Sequence, residues 1–168
     1  MFYHQKNTCY ETHTRMVVGT NCIEQLPEEI KACGGEKILI VSDPNVSKTE
    51  FYANCIDYVK KSGCPYLVWN EAEEEAPLRN VDTVCGILLK NACNLMIAVG
   101  GGSVIDICKL AGVLATNGGK GPDWAGYEKY SIPPMTLFTI PTTAGTSAEV
   151  TNMAVVHDEE KNVKFTVG

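Results

Sequence analysis

Two short segments of this 168-residue chain, ILIV at 38–41 and LMIAV at 95–99, are apolar at every position. A strand with one face in water alternates apolar and polar residues, whereas a strand that does not alternate is covered on both faces. Further β-branched or apolar runs lie at 15–19 (RMVVG), 66–70 (YLVWN) and 135–142 (MTLFTIPT). Between most of them the apolar residues take helical spacing: Ile23, Leu26, Ile30 and Cys33; Phe51, Cys55, Tyr58 and Val59; Val81, Val84, Cys85, Leu88 and Leu89. Strand and helix in alternation predict an α/β fold, a Rossmann-like parallel sheet with helices on both faces. After Thr142 the pattern changes. Residues 151–168 read as two strands joined by a polar turn at 157–162, an antiparallel hairpin.

Composition narrows the function classes. Hydrophobic residues make up 45% and charged residues 20%, the balance of a globular domain with its own core. A net charge of −6 argues against nucleic acid, whose phosphates select basic surfaces. No apolar run approaches the ~20 residues of a membrane span, and the first fifteen residues lack the apolar centre of a secretory signal. The eight cysteines contain no C-x-x-C pair, so they read as reduced thiols of a cytoplasmic protein. The acidic run EAEEEAP at 71–77 reads as a solvated loop.

The sharpest local signal is AVGGGSVIDICK at 98–109. Val104, Ile107, Cys108, Ala111 and Leu114 then form a helical stripe, with Ser103 placed as its N-cap. Strand, glycine turn and helix start together collect unpaired N–H groups at the positive end of a helix dipole, where anions bind. A plain tight turn needs one glycine and does not account for three. The order is not the usual Rossmann fingerprint, because the glycines follow a later strand and the acidic candidate, Asp43, comes earlier. Asp43 closes the 37–43 strand. It is placed either to accept both hydroxyls of an adenine ribose, favouring NAD over NADP, or to cap the turn at Pro44. A second polar cluster, TIPTTAGTSAEVT at 139–151, supplies small hydroxyl donors.

GGGSVIDICK followed about thirty residues later by TIPTTAGTSAEVT resembles the iron-containing (group III) alcohol dehydrogenase family, and the likeness extends along essentially the whole chain. The resemblance implies that 1–168 is one dinucleotide-binding domain, the N-terminal part of a two-domain enzyme whose all-helical domain is absent. It implies hydride transfer between NAD and a small alcohol or aldehyde, and a homo-oligomer. It also implies Fe²⁺ or Zn²⁺ held by an Asp and three His in the helical part, with this chain alone inactive. His4, His13 and His157 are too scattered to replace those ligands. By position in the motifs, Asp43 matches the ribose carboxylate. Gly100, Gly101, Gly102 and Ser103 match the pyrophosphate loop; Thr142, Thr143 and Thr146 match the hydroxyl cluster; Lys164 matches a hairpin lysine reaching the nicotinamide ribose. Asp106 and Lys109 match motif positions that brace the loop. The chain departs from the family at Ser147 and Ala148, where members often read Gly-Ser, and at Ala76 before Pro77, where many carry P-N-P. Two other readings are a stand-alone nucleotide-binding module and an NAD-binding domain of the dehydroquinate-synthase kind.

Overall fold

The computed structural model describes residues 14–168. Its centre is a four-stranded, all-parallel sheet. The strands are β1 (Ile38–Ser42), β2 (Tyr66–Trp69), β3 (Leu95–Gly100) and β4 (Thr136–Pro141), in the order β2-β1-β3-β4. Every residue of β1 and β3 is buried, as their unbroken apolar runs require. The pleat sends successive side chains to opposite faces. Ile38, Ile40, Leu95, Ile97 and Val99 join one core with α1 (Leu26–Ala32) and α2 (Glu50–Lys61). Leu39, Val41, Met96 and Ala98 join the other with α3 (Leu78–Asn91) and α4 (Gly102–Asn117). Each fully buried large aliphatic side chain contributes about 1.5–3 kcal/mol, so the two cores hold the sheet from both sides.

The helices start and stop for local reasons. Pro27 sits in the first turn of α1, where its missing N–H costs nothing. Thr49 caps α2 by accepting the Tyr52 N–H at 3.2 Å. Gly118, at φ 72°, ends α4 in a backbone region that L side chains avoid. α4 is buried nearly all round, including Ile105 and Leu110 off the predicted stripe. It lies under β3, α3 and the C-terminal hairpin at once, which is why it reads as apolar rather than amphipathic. Among the described residues no helix is long and apolar enough to cross a membrane.

The hairpin forms from β5 (Ala154–Asp158) and β6 (Val163–Val167), an antiparallel pair. Its turn is narrower than expected, because His157 and Asp158 still pair with Lys164 and Val163. Glu159 in that turn accepts the Leu78 N–H at 2.8 Å and pairs with Arg79, so the hairpin caps the start of α3.

Other expectations are corrected. Residues 15–18 form no strand: no described strand pairs with them, and Met16 and Val18 are exposed. The first predicted helix begins as a 3-10 turn, Cys22–Gln25, and Cys33 ends exposed after α1. Phe51 and Leu89 face solvent, because their positions fall just off the buried arcs of α2 and α3.

Candidate functional site

The strand order reverses between β1 and β3, and in open parallel sheets such a reversal leaves a crevice beyond the carboxyl ends of the strands. The Ser42 hydroxyl ties these two ends together by donating to the Val99 carbonyl at 2.7 Å. Above them lies a cleft of about 800 Å³. It is lined by Asp43, Gly101, Gly102, Ser103, Thr142, Thr143, Thr146 and Lys164, every candidate named from the sequence except Gly100. A larger, mostly apolar hollow of about 1910 Å³ lies along β4 and collects none of these groups.

α4 enters the cleft by its N-terminus. Gly101 is the N-cap, and no side chain caps it. The first helical bond runs from the Ile105 N–H to the Gly101 carbonyl at 3.2 Å. The amides of Gly102, Ser103 and Val104 precede it and have no acceptor within the helix. Ser103 is therefore not the N-cap. It sits two residues too far in, since the cap must be extended and Gly101 takes that role with ψ −171°. The Ser103 hydroxyl instead accepts the Glu75 N–H at 3.1 Å.

The three glycines have separate steric reasons, and none has a positive φ. A Cβ on Gly100 would lie 2.5 Å from Val104 Cγ2, so this glycine lets β3 run directly into α4. A Cβ on Gly101 would lie 2.9 Å from Thr143 Oγ1, and one on Gly102 would lie 3.3 Å from Thr146 Cβ. The last two glycines thus let the 142–146 loop close onto the helix start. The Thr142 N–H, bonded to the Gly100 carbonyl at 3.0 Å, anchors that loop.

Asp43 does cap the turn: its Oδ1 accepts the Asn45 and Val46 amides at 2.8 and 2.9 Å. Its second oxygen has no partner among the described residues, and Asp43 borders the cleft. Thr142 and Thr143 are exposed at the opposite side. Lys164 reaches in from β6 and lies 3.4 Å from Glu75 Oε1.

At the cleft wall, Asp106 Oδ2 accepts the Val155 N–H at 3.1 Å. Lys109 donates to the Met153 carbonyl at 2.7 Å and to the Thr151 hydroxyl at 3.1 Å. The pair braces α4 against the segment that carries the hairpin. Burial pushes the Asp106 carboxyl up and the Lys109 ammonium down, with their mutual attraction at 3.7 Å opposing both shifts.

The acidic run is not simply solvated. Ala72 and Ala76 are buried, the Ala76 carbonyl accepts the His157 N–H at 3.1 Å, and Glu73 to Glu75 border the cleft. Sequence reasoning missed this because the two alanines that pin the loop are hidden among four glutamates. His157 lies 3.9 Å from Glu75 Oε2 rather than free on the surface. His4 and His13 lie outside the described residues.

An open parallel sheet with an uncapped helix end at its switch point defines the class: a doubly wound α/β domain with a cleft at the carboxyl ends of its strands. The family profile described as iron-containing alcohol dehydrogenase matches residues 13–168. The chain belongs to the iron-containing alcohol dehydrogenase family. It is 38% identical to choline dehydrogenase of Bacillus subtilis (strain 168) over 98% of its own length and 42% of that protein's. It superposes on alcohol dehydrogenase from Oenococcus oeni with a TM-score of 0.88 and 34% identity, covering 95% of this chain and 43% of that one. With NADH-dependent butanol dehydrogenase A from Thermotoga maritima the TM-score is 0.91 at 27% identity, covering 99% and 42%. The chain thus spans less than half the length of the proteins it matches.

The described residues do not fit the iron in the family's name: no three His, Cys, Asp or Glu side chains among them converge to hold a metal. For a dinucleotide the cleft offers helix-end amides, hydroxyls, one lysine and the Asp43 carboxylate, with Glu73, Glu74, Glu75 and Asp106 also along its lining.

Proposed function

We propose that this chain binds NAD in the cleft between β1 and β3 and presents it for hydride exchange with a small alcohol or aldehyde. The observation that carries the reading is the convergence of the uncapped α4 N-terminus, the Thr143 and Thr146 loop, and Asp43 on one cleft at the switch point. The amides of 102–104 take pyrophosphate oxygens at the positive helix end. The Thr143 and Thr146 hydroxyls donate from the other side, and Lys164 neutralises charge towards the nicotinamide ribose. The unengaged oxygen of Asp43 accepts from the adenine ribose. The bound dinucleotide supplies the hydride acceptor or donor; the residues named here position it. The NADH dependence of the Thermotoga maritima butanol dehydrogenase supports the choice of cofactor.

A carboxylate beside the ribose repels a 2′-phosphate by about 1 kcal/mol, roughly fivefold in affinity. Calorimetric titration with NAD and NADP is the test. NAD binds more tightly to the wild type, and Asp43→Gly narrows the gap while retaining NAD. Equal binding of both by the wild type removes Asp43 from the ribose; no binding of either overturns the assignment of the cleft.

A further inference from the structure

Glu75 pairs through its side chain with Lys164, a candidate ligand-binding cation of the cleft, and holds the glycine loop through its backbone N–H. Its backbone stands at φ 64°, followed by Ala76 at φ 50°, two consecutive left-handed residues without glycine. The buried Ala72 and Ala76 hold the loop in that conformation on either side. Its N–H donates to the Ser103 hydroxyl at 3.1 Å, fixing the loop beside the start of α4. Its carboxylate reaches Lys164 Nζ at 3.4 Å and His157 Nδ1 at 3.9 Å. Glu75, Ser103 and Lys164 border the same cleft as Gly101 and Thr143.

The backbone bond does not depend on the charge of the side chain. The ion pair is different: the Glu75 and Lys164 side chains are 60% and 52% exposed. Exposed pairs of this kind are weak and exchange readily. A carboxylate and a phosphate present the same chemistry to an ammonium group, and Lys164 is the cleft's lysine. We propose that Glu75 is a built-in competitor for Lys164, a counter-ion that any phosphate-bearing ligand must displace, so that it sets the affinity of the cleft for such ligands. The proposal rests on the dinucleotide reading of the cleft.

The test is calorimetry on the full chain with ADP as the anionic probe and adenosine as the neutral one. Wild type, Glu75→Gln, Lys164→Met and the double variant are compared. Glu75→Gln keeps the N–H to Ser103 and removes only the charge. Glu75→Asn does the same with a residue type that tolerates left-handed backbone. Both variants are expected to bind ADP about two- to fivefold more tightly, with adenosine unchanged. Lys164→Met loosens ADP, and in that background Glu75→Gln gains less than about twofold. Wild-type binding of ADP with no gain in either Glu75 variant overturns the proposal. So does an equal gain with adenosine, or an equal gain in the Lys164→Met background. Absence of ADP binding in all variants overturns the dinucleotide reading and this proposal with it.

Discussion

The Asp106 carboxylate accepts the Val155 amide at 3.1 Å, so one side chain of α4 holds the first strand of the hairpin that carries Lys164. The helix whose N-terminus forms the cradle is thereby coupled to the lysine on its far wall. Asp106→Ala leaves the Val155 N–H, at an exposed residue, unpaired and the largely buried Lys109 side chain without its counter-ion. A loss of about 2–3 kcal/mol follows, read as a fall in the urea midpoint. Asp106→Asn keeps an acceptor for Val155 and loses less. Equal losses from the two variants exclude the hydrogen bond as the cause.

Gly100 and Gly101 answer to different measurements. Gly100→Ala drives a methyl group to within 2.5 Å of Val104 Cγ2, inside the core. It costs about 1–3 kcal/mol of stability by overpacking, seen as a lower Tm. Gly101→Ala meets only the Thr143 hydroxyl, at 2.9 Å on an exposed loop. It pushes that loop off the helix start, weakening ADP binding with a Tm close to wild type. A Gly101→Ala protein that melts as low as Gly100→Ala while binding ADP normally contradicts this division.

Glu159 links stability to pH. Burial alone raises its carboxyl, but its backbone bond, Arg79 and the Leu78 N–H outweigh burial and hold it below the usual range. A carboxylate depressed in the folded state contributes stability above its unfolded pKa of about 4.3 and loses it as pH falls through the folded value. Glu159→Gln therefore lowers Tm at pH 7 by about 2–4 °C and flattens the fall below pH 5. Thermal melts between pH 7 and pH 3 check it, and an unchanged pH profile refutes it.

Ser147 stands at φ 55°, in the position where the family often has glycine. Left-handed backbone costs a side-chain-bearing residue about 1–2 kcal/mol, partly offset by the greater unfolded-state entropy of glycine. Ser147→Gly yields a net gain of about 0.5–1 kcal/mol in chemical denaturation. A loss of stability instead means that the serine side chain makes a compensating contact.

The central sheet was legible in the sequence because β1 and β3 are buried on both faces, and an unbroken apolar run permits little else. The cleft was legible for a related reason: a glycine-rich strand-to-helix turn has few uses. Arg15 to Gly19 misled because β-branched residues describe a strand's surface without supplying its partner. Ser103 misled because residue type suggested a cap where backbone geometry had already assigned Gly101. The acidic loop was the main omission. Charge composition predicted solvent, whereas the long-range bonds of Ala76 to His157 and of Glu75 to Ser103 and Lys164 hold the loop at the cleft. Contacts between residues distant in the chain leave no periodic trace.

The cleft draws its walls from the ends of β1, β3 and β4 and from β6, so no contiguous piece of the chain contains it. Its existence is a property of the whole topology. A ligand held there favours the completely assembled state over every partly unfolded one, by mass action. Protection of the loops from proteolysis on ligand addition therefore spreads along α3, beyond the residues that touch the ligand. Occupancy and global unfolding become a single equilibrium measured from two ends.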